Sequence, residues 1–189
     1  GAQATVCGGG RYDGLIEQGN KALNYTELIN FDRHGDIFDL NLKNTLTNES
    51  FKLKTKNLIF ATGPFTDKLL SKLIPKQWTP MLVPSKGSHL WLPPNSINIT
   101  GPMVINKKDG RVIFVIPHQT AILVGTTEVK VEDDFFNTQP NQEEINYLLG
   151  TINDYFPNAQ VSQETIISSY SGVRPLVRDD GSKGNIGKI

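Results

Sequence analysis

The sequence predicts an α+β fold, a mainly antiparallel or mixed sheet with flanking helices. Three observations carry this. Residues 81–129 hold a succession of short β-branched and aromatic segments separated by turn residues. Residues 141–156 carry the clearest helical repeat, with Ile145, Leu148, Leu149, Ile152 and Phe156 on one face. Glycines and prolines punctuate the remainder, which keeps the elements between them short.

Residues 5–16 (TVCGGGRYDGLI) are expected to form a strand, a glycine turn and a second short element. Residues 23–31 read as a strand by their β-branched and aromatic content. Residues 36–43 alternate apolar and polar through Ile37, Leu40 and Leu42, with Phe38 breaking the register. Residues 51–61 alternate first and then become continuously apolar, the pattern of a half-exposed strand running into a buried one. Together these make a β-meander leading into a central strand. Thr62-Gly63-Pro64 ends that strand, and Pro64 suits the first turn of a helix, where its missing N–H costs nothing. Leu69, Leu70, Leu73 and Ile74 continue at helical spacing until Pro75.

The following strands are expected at 88–92, 102–106, 111–116 and 120–126. Asp109-Gly110 is a strong hairpin signal between two of them, and Pro117 to Gln119 makes the next turn. In the helix at 141–156, Glu143 and Glu144 lie near the positive N-terminal end and Pro157 follows the other end. Residues 165–173 read as one further strand. Beyond Pro175 the chain is polar and glycine-rich, without periodicity.

Composition narrows the function classes. A length of 189 residues suits one large domain or parts of two. Lys+Arg and Asp+Glu are 19 each, so the basic excess of a nucleic-acid binder is missing and no such partner is expected. The single cysteine, Cys7, excludes an intrachain disulfide and any multi-cysteine metal site. No two histidines have metal-ligand spacing, so no metal is expected. No apolar run approaches the roughly 20 residues of a membrane helix. The chain opens Gly1-Ala2-Gln3 and ends at Ile189 after a Gly/Lys-rich stretch, and reads as an excised piece.

Four segments could carry chemistry. Gly8-Gly9-Gly10 to Gly14 approaches the dinucleotide fingerprint, but the third glycine should stand where Asp13 does, which favours a plain glycine turn. Ala61-Thr62-Gly63-Pro64 ends a strand where a cofactor could meet the backbone, though many α/β turns look the same. Ser85-Lys86-Gly87-Ser88-His89 brings a cation, a flexible turn and an imidazole to a strand entry; the imidazole is either a proton acceptor or a satisfied histidine. Ser171-Gly172-Val173-Arg174-Pro175 can present a guanidinium fork to a phosphate, or hold a structural ion pair. His34 and His118 fall in predicted turns.

Two resemblances add to this reading. Residues 1–18, through TVCGGGRYDGLIEQ, are similar to the glycine-rich histidine-pocket motif of histidyl-tRNA synthetases, and stand as a foreign-looking or junction segment. Further along, LNYTELINF, NLIFATGPFTDKL, VPSKGSHLWLP, RVIFVIPHQTAILVGTTEV, EEINYLLGTINDYFP and SYSGVRPLV resemble successive blocks of the FAD-dependent glycerol-3-phosphate dehydrogenase/oxidase family, over about residues 20–181.

The second resemblance implies a two-domain flavoprotein fold similar to D-amino-acid oxidases. Residues 19–78 and 165–189 would belong to the FAD-binding domain and 79–164 to the substrate domain. The implied oxidoreductase converts sn-glycerol 3-phosphate to dihydroxyacetone phosphate, with FAD as cofactor and a quinone or oxygen as electron acceptor. It implies a cytoplasmic protein with peripheral contact at the inner face of the membrane. His89 is implied in proton transfer, and Arg174 in substrate binding near the flavin, with Lys86 beside them on the substrate. Ala61, Thr62, Gly63 and Gly172 are implied against the FAD, and Thr126 and Thr127 in the substrate-domain sheet. The family's N-terminal βαβ unit is missing, so the chain alone is expected to be inactive and to hold FAD weakly. A histidyl-tRNA synthetase relative, or a non-catalytic domain, is the alternative.

Overall fold

A computed structural model describes residues 23–178 apart from 109 and 137. The chain forms two compact units, one running to Ile59 and the other starting at Phe60.

The first unit is an antiparallel meander of β1 (Thr26–His34), β2 (Ile37–Asn44) and β3 (Ser50–Thr55), in that spatial order. Gly35 turns β1 into β2 with φ +62°, a conformation that costs glycine little. The Asn44 side chain accepts the Leu46 and Thr47 N–H groups at 2.9 and 3.1 Å and shapes the turn into β3. Pairing opposes Leu40 with Phe31 and Leu53, and Leu42 with Leu28 and Phe51. Phe38 stands in phase with Leu40 and Leu42 and meets Phe31 edge-on at 5.9 Å. The expected register break therefore belongs to Ile37, since side chains two apart share a face.

The apolar run at 58–61 departs from expectation. It is assigned to no strand, and Ile59 is 84% exposed. An apolar run becomes a strand only where a neighbour takes up its N–H and C=O groups, and among the described residues no strand pairs with it.

The second unit opens with a short 3-10 turn at Gly63–Phe65, which has proline at its start, and continues as α1 (Thr66–Leu73). Asp67 on α1 accepts the indole N–H of Trp78 at 3.0 Å and the N–H groups of Met81 and Leu82 at 3.0 and 2.7 Å. That carboxylate fixes where β4 begins. β4 (Leu82–Leu92), β5 (Met103–Asn106), β6 (Val112–Pro117), β7 (Ile122–Gly125), β8 (Val129–Lys130) and β9 (Ser168–Val177) form one six-stranded antiparallel sheet. β9 runs along β4 over residues 82–91, so β7 and β8 share its other edge. Gly110 turns β5 into β6 with φ +84°; Asp109 lies outside the described residues.

α2 (Gln142–Tyr155) covers one face of this sheet. Its N-cap, Asn141, accepts the Glu144 N–H at 2.9 Å, while Glu144 accepts the Asn141 N–H at 3.0 Å. Leu148, Leu149 and Ile152 on α2 pack onto Leu90, Leu92, Ile113, Val115, Ile122 and Val124 of the sheet.

β9 runs past Pro175, where the sequence predicted an end. Pro175 pairs with Pro84. The Arg178 N–H donates to the Met81 carbonyl at 2.7 Å, and this sets the alternation of rungs. The proline pair falls on a rung that exchanges no hydrogen bonds, so neither missing N–H weakens the ladder.

Candidate active site

Strand alternation gives β4 two different faces. Even-numbered side chains (Lys86, Ser88, Leu90, Leu92) face the layer that holds α2, and odd-numbered ones (Gly87, His89, Trp91) face the other way. Tyr170, Gly172 and Arg174 of β9 pair with His89, Gly87 and Ser85 and share their face. The imidazole and the guanidinium are therefore on one side of the sheet, four rungs apart on neighbouring strands.

Glycines make room for both groups. His89 pairs with Gly125 on β7, and a Cβ at Gly125 would lie within 3.0 Å of the His89 ring. A Cβ at Gly87 would lie within 3.0 Å of both terminal nitrogens of Arg174 and of Thr126 Oγ1. The guanidinium thus lies across the backbone of Gly87. Arg174 Nη2 donates to Thr126 Oγ1 at 2.8 Å, and that hydroxyl donates onward to the Thr127 carbonyl at 3.1 Å. No other partner of the guanidinium stands among the described residues, which leaves most of its five N–H donors for a ligand.

His89 stacks on Tyr170 with centroids 4.8 Å apart and planes 8° apart. Its Nδ1 is buried and has no hydrogen-bond partner among the described residues. Burial, and then the positive charge of Arg174, push the His89 pKa below its ordinary value of 6.5. The imidazole is therefore neutral at pH 7 and able to take a proton.

Lys86 is not brought to this face. Its ammonium meets Glu144 Oε2 at 2.7 Å and the Gln139 carbonyl at 3.1 Å on the opposite side. The odd–even alternation of β4 separates it from His89 and Arg174, although its place just ahead of His89 in sequence suggested a common cluster. Gly172 is exposed, with nothing within 4 Å of where a Cβ would stand. Gly63, at φ +53°, has the same open surroundings. Ala61 is exposed; Thr62 is half-buried, its hydroxyl 2.9 Å from that of Thr66. The glycine-rich segment at 8–14 lies outside the described residues.

Tyr170 and Gly125 were not singled out by the sequence reading. No local pattern marks either, because each becomes significant only through its rung opposite His89. Among the described residues no cluster of His, Cys, Asp and Glu could hold a metal ion. No helix there is long and apolar enough to cross a membrane.

An alpha-glycerophosphate oxidase of Enterococcus casseliflavus is 32% identical over 164 residues, 84% of this chain and 27% of that protein. An aerobic glycerol-3-phosphate dehydrogenase of Staphylococcus saprophyticus is 32% identical over 168 residues, 87% of this chain and 30% of that protein. The X-ray structure of the glycerol-3-phosphate dehydrogenase from Bacillus halodurans complexed with FAD superimposes with a TM-score of 0.73 at 27% identity, covering 87% of this chain and 34% of that one. An L-proline dehydrogenase from P. horikoshii shares the fold at 19% identity and a TM-score of 0.63. The chain thus spans about a third or less of the length of its glycerol-phosphate relatives. A synthetase relationship finds no support among these matches. The FAD dependent oxidoreductase family matches residues 12–187, nearly the whole chain, and with the shared mixed-sheet fold this shows that the chain belongs to that family.

Proposed function

We propose that this chain forms the substrate-side face of an FAD-dependent sn-glycerol-3-phosphate dehydrogenase or oxidase. One observation carries the reading: Arg174, laid across Gly87 and held by Thr126, shares a sheet face with a neutral, half-buried His89. A guanidinium with free donors suits a phosphate dianion, which it can grip bidentately. A neutral imidazole on the same face suits removal of a proton from the hydroxyl on carbon 2, the carbon next to the one that bears the phosphate.

The same face fits the ring side of the cofactor. Gly172 is exposed with nothing within 4 Å of where a Cβ would stand, so a planar group can approach its backbone beside the guanidinium that lies across Gly87. Gly63, with Ala61 and Thr62 before it, is the second backbone contact proposed for the cofactor. When bound, FAD supplies a two-electron acceptor for the hydrogen on carbon 2 of the substrate. The protein's part is then threefold. Arg174 fixes the phosphate, His89 accepts the hydroxyl proton, and the β4–β9 face keeps the reacting carbon out of bulk water. Dihydroxyacetone phosphate is the product. Oxygen or a quinone is the proposed onward acceptor, and a cytoplasmic site with peripheral contact at the membrane's inner face is the proposed location.

Titration calorimetry with sn-glycerol 3-phosphate in the presence of FAD tests the reading. A hydrogen bond to a charged group contributes about 1.5–3 kcal/mol. Arg174→Ala is therefore expected to weaken binding roughly ten- to hundredfold. Glycerol, lacking the phosphate, is expected to bind parent and variant alike. Equal affinity of parent and Arg174→Ala for glycerol 3-phosphate would remove the assignment.

A further inference from the structure

On the back of the same sheet, Glu144 is 3% exposed and accepts four hydrogen bonds. Ser88 and Thr127 donate their hydroxyls to Oε1 at 2.7 and 2.8 Å. Lys86 Nζ and the Asn141 N–H donate to Oε2 at 2.7 and 3.0 Å. Burial acts to raise this carboxyl's pKa; the Asn141 N–H, Lys86, Ser88 and Thr127 outweigh it, and the net direction is downward. A helix N-cap needs only the Asn141 contact. The other three come from outside the helix, on β4 and on the loop after β7.

The network extends in two further steps. Thr127 Oγ1 also accepts the Ser88 N–H at 2.9 Å. Ser88 Oγ lies 2.9 Å from Ser171 Oγ on β9. With the Ser88 hydroxyl committed to Glu144, Ser171 is the donor of that pair. The consequence follows from alternation. Ser88 stands between Gly87 and His89, Thr127 directly follows Thr126, and Ser171 stands between Tyr170 and Gly172. Each hydroxyl clamped on the back is flanked in sequence by groups of the front face.

We infer that Glu144, acting through Ser88, Thr127 and Ser171, is a positioning residue for the His89–Tyr170–Arg174 face. It sets the relative position of three backbone segments, and so the stacking of His89 and the seat of Arg174 over Gly87. This rests on the proposed function for its importance but not for its geometry, and its test needs neither FAD nor substrate.

The test compares Thr127→Val with Thr127→Ser in the full chain and follows His89 by NMR titration of its imidazole. Among the described residues, Arg174 acts on that ring by its charge and Tyr170 stacks on it. Thr127→Val keeps the shape but leaves the buried Ser88 N–H without an acceptor and Glu144 short of one donor. The face is expected to loosen, water to reach the ring, and the His89 midpoint to rise toward 6.5. Thr127→Ser is expected to restore the parent midpoint. A clamp with a purely structural role predicts something else: a lower Tm in Thr127→Val with the His89 midpoint unmoved, and that result overturns the inference. Should Thr127→Val not fold, Ser171→Ala breaks one link at a less buried position. A raised His89 midpoint there supports the inference and an unchanged one overturns it. Loss of glycerol-phosphate binding by the parent chain with a raised midpoint in the variants would strike the proposed function alone.

Discussion

In the three-stranded meander, burial among the described residues reaches only Leu40 and Leu42, both in the middle of β2. In the six-stranded sheet, Leu90, Leu92, Ile113, Val115, Ile122 and Val124 are all at or near zero exposure beneath α2. Both sheets alternate apolar and polar residues. The difference is the second layer: a sheet face becomes a core only when another element closes over it. The larger sheet has one face closed by α2 and can leave the opposite face, with His89 and Arg174, for a ligand.

Breaking the closed layer is expected to have the largest effect. Ile152→Ala on α2 removes a fully buried side chain and should cost about 2–5 kcal/mol in urea unfolding. Next comes the open face. Gly125→Ala forces a methyl group into the His89 ring and should cost about 1–3 kcal/mol. It should also shift the His89 NMR signals; a silent spectrum would contradict the close packing described above.

A pH series sharpens the comparison further. The folded pKa of His89 is below 6.5, so between the two values the unfolded chain binds a proton that the folded chain does not. Stability is full above 6.5 and falls as pH drops through that window. His89→Gln should flatten this limb of a Tm-against-pH curve. Glu144 has a folded pKa below its ordinary 4.5, so its contribution is lost at more acid pH, giving a second, separate fall. The smallest effect is expected in the meander: Leu53→Ala, at a side chain 47% exposed, should change unfolding free energy by about 0.5 kcal/mol or less. A larger loss would show that another layer closes over that face too.

This contrast also explains what could be read from the sequence. α2 was legible because Ile145, Leu148, Leu149 and Ile152 repeat at helical spacing and because its stop signal is local. The strands from 103 to 125 were legible from β-branched runs and turn residues. The stretch 58–61 was misread because an apolar run does not say whether a partner strand is present. His89 and Arg174 were singled out by residue type and family resemblance, and the structure brings them to one face of the sheet. Lys86 was grouped with them because sequence distance does not show alternation across a sheet. Glu144 was read only as a charge near a helix end. Asn141 three residues ahead of it was the available signal for a capping box. The reach from Glu144 to Ser88 and Thr127 depends on tertiary placement, which no local pattern encodes.

The facing prolines of β4 and β9 have a consequence for how this half of the molecule finds its alignment. If β9 slid by one residue, Pro175 would land on a rung that requires an N–H, which its ring lacks. The same slide would turn Arg174 to the side that holds Lys86 and Glu144. Misalignment is thus penalised at the very place where it would carry the guanidinium away from the imidazole, and the prolines act as a latch on the correct pairing.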